Sequence, residues 1–347
     1  MKVYILYENP DWMPPLRREL QRAEIPYEAW YIHTGHFPLS QEPPAGVFLN
    51  RMSPSSHTRG HRESVDYTRE LLVWLESHGR RVINGSRAFE LEISKVRQYA
   101  ALRQAGLRTP HTVAVAGGPQ ALKEAAYHLP VPFITKHNRG GKGLGIQLFR
   151  SFEAFAAYVD SSAFEPSMDH ITLLQEYIES PEPSITRVEI VDGQFLYAIR
   201  SDTSRGFQLC PAERCESGEA SCPGTDAPAH GHADRQSLFA LRQGFHDPIL
   251  AQYIAFTRQH GLDLAGIEFI EDRQGQKITY DVNGTTNYAP GVEERHGLNG
   301  MAAVVRLLAR ELHAAEHQAP VPSADRTAWP GHPDQPSARE PRRAVRT

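Results

Sequence analysis

The feature that most constrains the fold is an alternation of short apolar strands with amphipathic helices in the first 90 or so residues. Val3–Tyr7 is a run of five apolar residues, which is typical of a buried strand. Asp11 is expected to cap a helix that ends near Ala23. Further strands and a helix follow at Glu28–Ile32, Val47–Asn50, Glu63–Ser77 and Arg81–Asn84. This alternation predicts a small α/β domain with a parallel sheet over residues 1–93.

A different pattern begins at Ser94, which is expected to cap a helix that stops at Gly106. Helices here are interspersed with two β-hairpins, and the first hairpin turns at Asp192-Gly193, a favoured turn pair. This pattern predicts a second, mixed α+β region over residues 94–317. The segment 318–347 contains six Pro and few large apolar residues, and we expect a disordered tail there.

Composition excludes several classes of protein. Lys and Arg total 37 against 41 Asp and Glu, a formal charge of −4, so no basic excess indicates a nucleic-acid or anionic membrane partner. The longest apolar runs are about five residues, whereas a membrane-spanning helix needs about 20. Only three Cys occur, so no disulfide framework is expected. The chain is predicted to be a soluble cytoplasmic protein.

The second hairpin brings two acidic side chains and an amide together. With its turn centred between Gln274 and Gly275, Glu268 lies opposite Asp281, and Asn283 shares that face two residues further on. Opposed like charges destabilise a sheet, and a bound cation removes the repulsion. These oxygen donors suit Mg²⁺ carried with a nucleotide. A solvated face whose acids pair with Lys or Arg is an equally open alternative.

A glycine-rich segment, KHNRGGKGLG at residues 136–145, joins two predicted strands. Its glycines, Gly141 and Gly143 among them, allow backbone N–H groups to approach an anion closely. It is not a Walker A loop, because no Ser or Thr follows a Gly-Lys pair, and Ile146 breaks the dinucleotide-binding spacing. The segment predicts a hairpin flap over phosphates with Lys136 on the strand beneath, or else a surface hairpin without a ligand.

The first hairpin carries two arginines. If its two-residue turn sets the register, Arg187 opposes Ala198, and Arg200 lies diagonally beside Arg187 on one face. Two neighbouring cations favour a phosphate or carboxylate between them. Glu189 lies on the same face. The alternative to a bound anion is that Glu189 neutralises one of the two arginines and has a purely structural role.

The order of these features resembles that of the ATP-grasp superfamily. The chain is most similar to the branch of ribosomal protein S6 glutamate ligases and glutathione-synthetase-like enzymes, over about residues 80–312. The most specific match is GIEFIE at 266–271 with YDVN at 280–283, followed by QEYI at 175–178. The resemblance implies an ATP-grasp fold preceded by a small parallel α/β domain.

The resemblance also implies a division of the second region and roles for individual residues. Residues 94–180 would hold the nucleotide and its lid, and residues 181–317 the metal and substrate half. The implied contacts are Lys95 and Lys136 to the phosphates, Glu176, Tyr177 and Ile178 to the adenine, Glu268, Asp281 and Asn283 to two Mg²⁺ (or Mn²⁺) ions, and Arg187 with Arg200 to an acyl phosphate.

The sequence departs from the family pattern in two places. Glu268 stands where the family often has Asp, and Asp281 stands where it often has Glu. The combined length of the two side chains is therefore unchanged. The acid that binds the ribose in related enzymes is replaced by Ile185. Glu182 is a candidate substitute, and the ribose contact stays unassigned.

The activity that the resemblance implies is ATP-dependent ligation. A carboxylate is activated as an acyl phosphate and joined to an amine, with release of ADP and phosphate. The expected partners are small carboxylate and amine substrates, such as amino acids or peptides, and homo-oligomer formation is left open. The alternatives are an ATP-grasp kinase that phosphorylates a hydroxyl and a non-catalytic ATP-binding regulatory protein. The complete set of metal ligands argues against the latter.

Two other segments carry potential ligands. Residues 50–57 include Arg51 and several Ser, and they either face the cleft or form a structural loop. Between residues 206 and 245 the spacing of Cys and His lacks the paired C-x₂-C of ordinary zinc modules. We therefore favour apolar filling and solvated His over a zinc site for Cys210, Cys215, Cys222, His230 and His232.

Overall fold

The computed structural model describes residues 1–141, 143, 145–204 and 238–318. The Cys and His residues considered for zinc, and the expected tail beyond Gln318, lie outside these described residues. The described elements form three β-sheets. Among them there is no helix with the length and apolar character needed to cross a membrane.

The first sheet is parallel throughout, as the alternating pattern predicts. Its region comprises β1 (Lys2–Tyr7), α1 (Met13–Arg22), β2 (Tyr27–Tyr31), β3 (Gly46–Arg51), α2 (Ser64–Ser77), β4 (Arg81–Ile83) and α3 (Ser86–Glu92). The strand order is β2-β1-β3-β4. Strand β3 is buried along its whole length, because helices cover both faces of such a sheet.

The start of the first helix differs from the prediction. The Asn9 side chain, not Asp11, provides the cap: its Oδ1 accepts from the Asp11 N–H at 3.1 Å. A 3₁₀ turn at Pro10–Trp12 then precedes α1. Proline has no N–H to satisfy, so the first helical position after the Asn9 cap suits Pro10.

The second sheet is antiparallel and carries the glycine-rich loop. Its region comprises α4 (Lys95–Gln104), β5 (Thr112–Ala116), α5 (Pro119–Ala126), β6 (Phe133–His137), β7 (Gln147–Phe149), α6 (Phe152–Val159) and β8 (Ile171–Glu176). The order is β5-β8-β6-β7. Ser94 caps α4 as predicted, with its Oγ accepting from the Arg97 N–H at 3.3 Å, so the position of Lys95 at the helix start is set locally.

The third sheet is also antiparallel and contains both predicted hairpins. Its region comprises β9 (Ser184–Val191), β10 (Gln194–Asp202), β11 (Phe239–Leu241), α7 (Ile249–His260), β12 (Leu264–Glu271), β13 (Lys277–Asn283), α8 (Pro290–His296) and α9 (Gly300–Gln318). The order is β11-β10-β9-β12-β13. Asp192 and Gly193 have φ of 55° and 64°, as a turn of this type requires.

The first and third sheets share one hydrophobic core, to which α9 contributes Val304 and Leu308. Polar contacts join the same regions: Arg81 pairs with Asp263 at 2.7 Å, and the Asn84 amide donates to the Gly284 carbonyl at 2.8 Å. The second contact holds the carboxyl end of β4 against the loop that follows β13, and residues of the loop after β3 line the cleft.

Candidate active site

A cleft of about 450 Å³ lies between the two antiparallel sheets and the loop after β3. All but one of the residues predicted for the site line this cleft, and Arg200 is the exception. The lining residues are Lys95, Lys136, Gly141, Gly143, Glu176, Tyr177, Ile178, Arg187, Glu268, Asp281 and Asn283. Segments separated by almost 200 residues therefore converge on one cavity.

The predicted pairing of the two carboxylates is confirmed, although the turn of their hairpin differs. Glu268 pairs with Asp281 in the β12–β13 ladder. Nearer the turn the register shifts by one residue, because Tyr280 is an extra residue in β13, a β-bulge. The turn is centred on Gln274 and not between Gln274 and Gly275, and the bulge compensates for that difference.

Each carboxylate pairs with a cation. The Lys95 ammonium contacts Asp281, and Arg187 Nη1 lies 2.9 Å from Glu268 Oε1. Burial acts to raise the pKa of Asp281, but the charges of Lys95 and Lys136 outweigh it and hold the pKa below its usual value. Both carboxylates are largely buried, so the alternative of a solvated hairpin face is wrong. The pairing of the acids with Lys or Arg, which that alternative also included, is present.

The donor set of this wall fits a hard divalent cation. Glu268, Asp281 and Asn283 all line the cleft, and carboxylate and amide oxygens are the ligands that Mg²⁺ accepts. Within the described ranges, no group of three or more His, Cys, Asp and Glu side chains is placed to hold a metal. A cation here would therefore need further oxygens from a nucleotide or from water.

Lys136 is buried and lies against the bulge. Its Nζ donates to the Tyr280 carbonyl at 3.3 Å and lies 5.2 Å from the centre of the Tyr280 ring. Over the residues that the structure describes, Lys136 forms no ion pair, in contrast to Lys95. Its charge is thus placed in the cleft without being neutralised by one carboxylate.

The glycine-rich loop packs against the first region and against the side chain of its own His137. A Cβ at Gly141 would touch the Ser55 side chain. Gly145 has φ of 71°, and a Cβ there would overlap the His137 ring, so no other residue fits without rearrangement. Arg139 lies at the start of the loop and pairs with Asp66 of α2 at 3.0 Å. The loop is therefore anchored to the first region.

The predicted adenine hinge follows β8. The Glu176 N–H donates to the His111 carbonyl at 2.9 Å, and the Tyr177 N–H donates to the Pro132 carbonyl at 3.1 Å. In the described part of the chain, the Ile178 N–H has no protein acceptor. Of these three amides, that of Ile178 is the one left to bind a ligand.

The predicted pairing of Arg187 with Arg200 is wrong. An irregularity between Phe195 and Tyr197 shifts the β9–β10 register, so Arg187 pairs with Ile199 and not with Ala198. Since side chains alternate between faces, this one-residue shift places Arg200 on the opposite face. Arg200 is half-exposed and pairs with Glu182, and neither residue lines the cleft.

Arg187 is buried in a network of carboxylates. Its Nε donates to Glu189 Oε1 at 2.6 Å, as the structural alternative for Glu189 supposed, and its Nη1 donates to Glu268. The guanidinium lies over Gly266, where any Cβ would overlap it. Despite burial, the two carboxylates raise the pKa of Arg187. The cation is therefore permanently charged and fixed beside the candidate metal ligands.

Several cleft residues could not be predicted from the sequence, and the role of one segment was left open. Glu92, Asn287 and Tyr288 line the cleft, yet no motif surrounds any of them in the sequence. Ser53 and Ser55 also line it, so the loop at residues 50–57 does face the cleft. Only proximity in the fold distinguishes these polar residues from many others in the chain.

Glu92 is expected to make stability depend on pH. Burial raises its pKa to about 7 from 4.5, although Thr285 donates to it. Between pH 4.5 and 7 the unfolded chain ionises while the folded protein holds the proton, so stability falls as pH rises. Glu92→Gln should remove this loss, so the unfolding free energy of the variant relative to wild type should rise by roughly 3 kcal/mol between pH 4.5 and pH values above 7. Chemical denaturation of metal-free protein from pH 4.5 to 8 measures it, and a constant difference would contradict the assignment.

Comparison with other proteins identifies the fold. No protein-family model matches the chain, and no curated protein matches it in sequence. Solved structures do match: the architecture of the cleft and its sheets is the ATP-grasp fold, as predicted.

Three of the similar structures match over almost their full length. D-cycloserine synthetase DcsG has a TM-score of 0.60 at 19% identity, over 89% of this chain and 99% of that one. The RimK domain protein ATP-grasp from Sphaerobacter thermophilus has 0.61 at 14%, over 88% and 98%. The ATP-grasp ligase PsnB, complexed with a minimal precursor, has 0.58 at 16%, over 90% and 99%.

Proposed function

We propose that this protein is an ATP-dependent carboxylate–amine ligase that forms ADP. The observation that carries the proposal is the convergence of Lys95, Lys136, Arg187 and the pair Glu268 and Asp281 on one cleft. Cations at the phosphates and a carboxylate pair for divalent ions are the parts that phosphoryl transfer requires, because its catalysis is mainly positioning and charge neutralisation. The names of similar structures, which include ligases and a synthetase, support the same reading.

The proposed reaction has two steps. An oxygen of the substrate carboxylate attacks the γ-phosphorus of ATP, which gives an acyl phosphate and ADP. The amine nitrogen then attacks the acyl carbon, phosphate leaves, and the amine gives up a proton. Arg187 would stabilise the acyl phosphate, Lys95 and Lys136 the nucleotide phosphates, and Glu268, Asp281 and Asn283 would hold two Mg²⁺ ions. When bound, those ions would offset phosphate charge. Arg200 has no role in this proposal.

The test is a screen for ADP release with the full-length protein, ATP and Mg²⁺, using pairs drawn from amino acids and short peptides. A ligase releases ADP only when acid and amine are both present, and mass spectrometry finds their condensation product. Release with a single hydroxyl compound and a phosphorylated product would instead establish a kinase. Binding of ATP without any release would indicate a regulatory protein. Asp281→Asn protein supplies the background rate.

A further inference from the structure

Arg51, at the end of β3, is a buried cation beside the cleft. Its side chain is 3% exposed. Nη1 donates to the Thr286 carbonyl at 3.4 Å and Nη2 to Asn287 Oδ1, while Nε has no hydrogen-bond partner. In the described ranges no carboxylate lies within ion-pair distance of Arg51. Burial lowers its pKa to about 10, so the charge is held without full compensation. Buried charges are ordinarily paired.

Tyr288 is a second incompletely satisfied group on the same loop. It lines the cleft and is 2% exposed, and its hydroxyl has no hydrogen-bond partner among the described residues. Its φ is 58°, a conformation that a bulky residue rarely adopts. The ring is packed so closely on Gly300 that a Cβ there would overlap it. The fold thus holds this hydroxyl in place although it gains no internal bond from it.

Asn287 connects Arg51 to the cleft. It lines the cavity, and because its amide oxygen accepts from Arg51, its NH₂ group is the end left for a ligand. An amide N–H, a tyrosine hydroxyl and a positive charge behind them together favour an anion with two acceptor oxygens. A carboxylate has this form.

Arg187 does not serve this position. Its guanidinium is already engaged by Glu189 and Glu268, and Thr286 Oγ1 donates to the far oxygen of Glu189 at 3.0 Å. The Glu189–Thr286 contact therefore separates the two arginines. Arg187 lies with the candidate metal ligands, where the reacting group would be. Arg51 lies behind the loop that follows β13, on which Thr286 and Asn287 accept its hydrogen bonds.

We propose that Asn287 and Tyr288, with Arg51 behind them as a positioning residue, bind a substrate carboxylate that takes no part in bond formation. The inference rests on the proposed function and narrows its substrate class. One of the two substrates would be an amino acid or peptide with an intact carboxylate near its reacting group. That carboxylate is either the α-carboxylate of the amine substrate or a second carboxylate of the acid.

Calorimetry with Mg²⁺ and a non-hydrolysable ATP analogue tests the proposal. The probes are the common amino acids and their C-terminal amides, which keep the amine but lack the carboxylate. Wild-type protein should bind at least one acid more tightly than its amide. Tyr288→Phe should weaken that binding about 2–13-fold, and Arg51→Gln about 10–150-fold. Neither variant should change binding of the amide or of the ATP analogue, and Arg51→Lys should restore part of the affinity.

Two controls separate binding from structure. Tyr288→Phe removes only an unpartnered hydroxyl, so its Tm should not fall. Arg81→Gln removes a different arginine, paired with Asp263 and Glu311, and should lower Tm without changing the preference for acids over amides. Equal binding of acids and amides by wild-type protein would overturn the proposal, and so would equal losses for both ligands in the Arg51 and Tyr288 variants.

A further comparison identifies which substrate carries the carboxylate. A drop in turnover when the amine substrate is supplied as its C-terminal amide assigns the carboxylate to the amine substrate, and equal turnover with both forms assigns it to the acid substrate. If Arg51-dependent binding of acids is found without any ligase turnover, the proposed function fails and this subsite stands. If turnover is found without that dependence, the ligase stands and the subsite fails.

Discussion

Asp281→Asn is expected to lower kcat about 10²–10³-fold or more while the protein stays folded. The substitution keeps the shape of the side chain but removes one of the two charges available to a divalent cation. It also leaves Lys95, the present partner of Asp281, free for the phosphates. Binding of ATP without Mg²⁺ should therefore not weaken, whereas the gain in affinity on adding Mg²⁺ should be lost. Turnover and calorimetry with and without Mg²⁺ measure both effects.

The matched control for this prediction is Glu271→Gln on the same hairpin. Glu271 pairs with Arg242 at 2.7 Å, and its side chain is 38% exposed, so the same loss of charge occurs outside the cleft. We expect near wild-type turnover from it. Circular dichroism should show both variants folded, with a lower Tm for Asp281→Asn because a buried lysine loses its partner. Wild-type turnover by Asp281→Asn in ordinary Mg²⁺ would rule out the metal site.

Lys136→Met is expected to weaken binding of Mg²⁺ and a non-hydrolysable ATP analogue about 10–150-fold, since a charge-assisted contact is worth about 1.5–3 kcal/mol. Methionine keeps an unbranched apolar stem over the Tyr280 ring and removes the charge together with the hydrogen bond to the Tyr280 carbonyl. Because the Lys136 charge also helps to hold the pKa of Asp281 low, Tm should fall modestly while the variant stays folded. Calorimetry of the variant measures the affinity.

Lys123→Met is the control for Lys136. Lys123 pairs with Asp160 at 3.0 Å on α5 and does not line the cleft, so its replacement should leave nucleotide affinity unchanged. If Lys136→Met binds the analogue as tightly as wild-type protein, the phosphates lie elsewhere in the cleft.

Both carboxylates of the candidate metal site have cationic partners within the protein, Lys95 at Asp281 and Arg187 at Glu268. Binding of Mg²⁺ and ATP at these residues would therefore exchange internal ion pairs for new ones. Such exchange keeps two opposed carboxylates compatible with the folded state when no metal is bound.

The features that could be predicted from the sequence are local in origin. Alternating strands and helices predicted the parallel sheet, Ser94 predicted the start of α4, and the Asp192-Gly193 pair predicted the turn of the first hairpin. These features depend on periodicity and on interactions within one or two elements. They are recorded in nearby residues, so they can be read without knowing the rest of the fold.

Other features depend on a one-residue shift in strand register or on contacts between distant segments, and these could not be predicted from the sequence. An irregularity in β10 places Arg200 on the face opposite to Arg187. The residues of the hairpin turn give no indication of this irregularity. The partners of Arg51 lie more than 230 positions away along the chain, and burial, with the charge of Asp281, raises the pKa of Glu92. Faces alternate with every residue of a strand, and burial depends on packing by the whole chain, so these outcomes were determined only when distant segments came together.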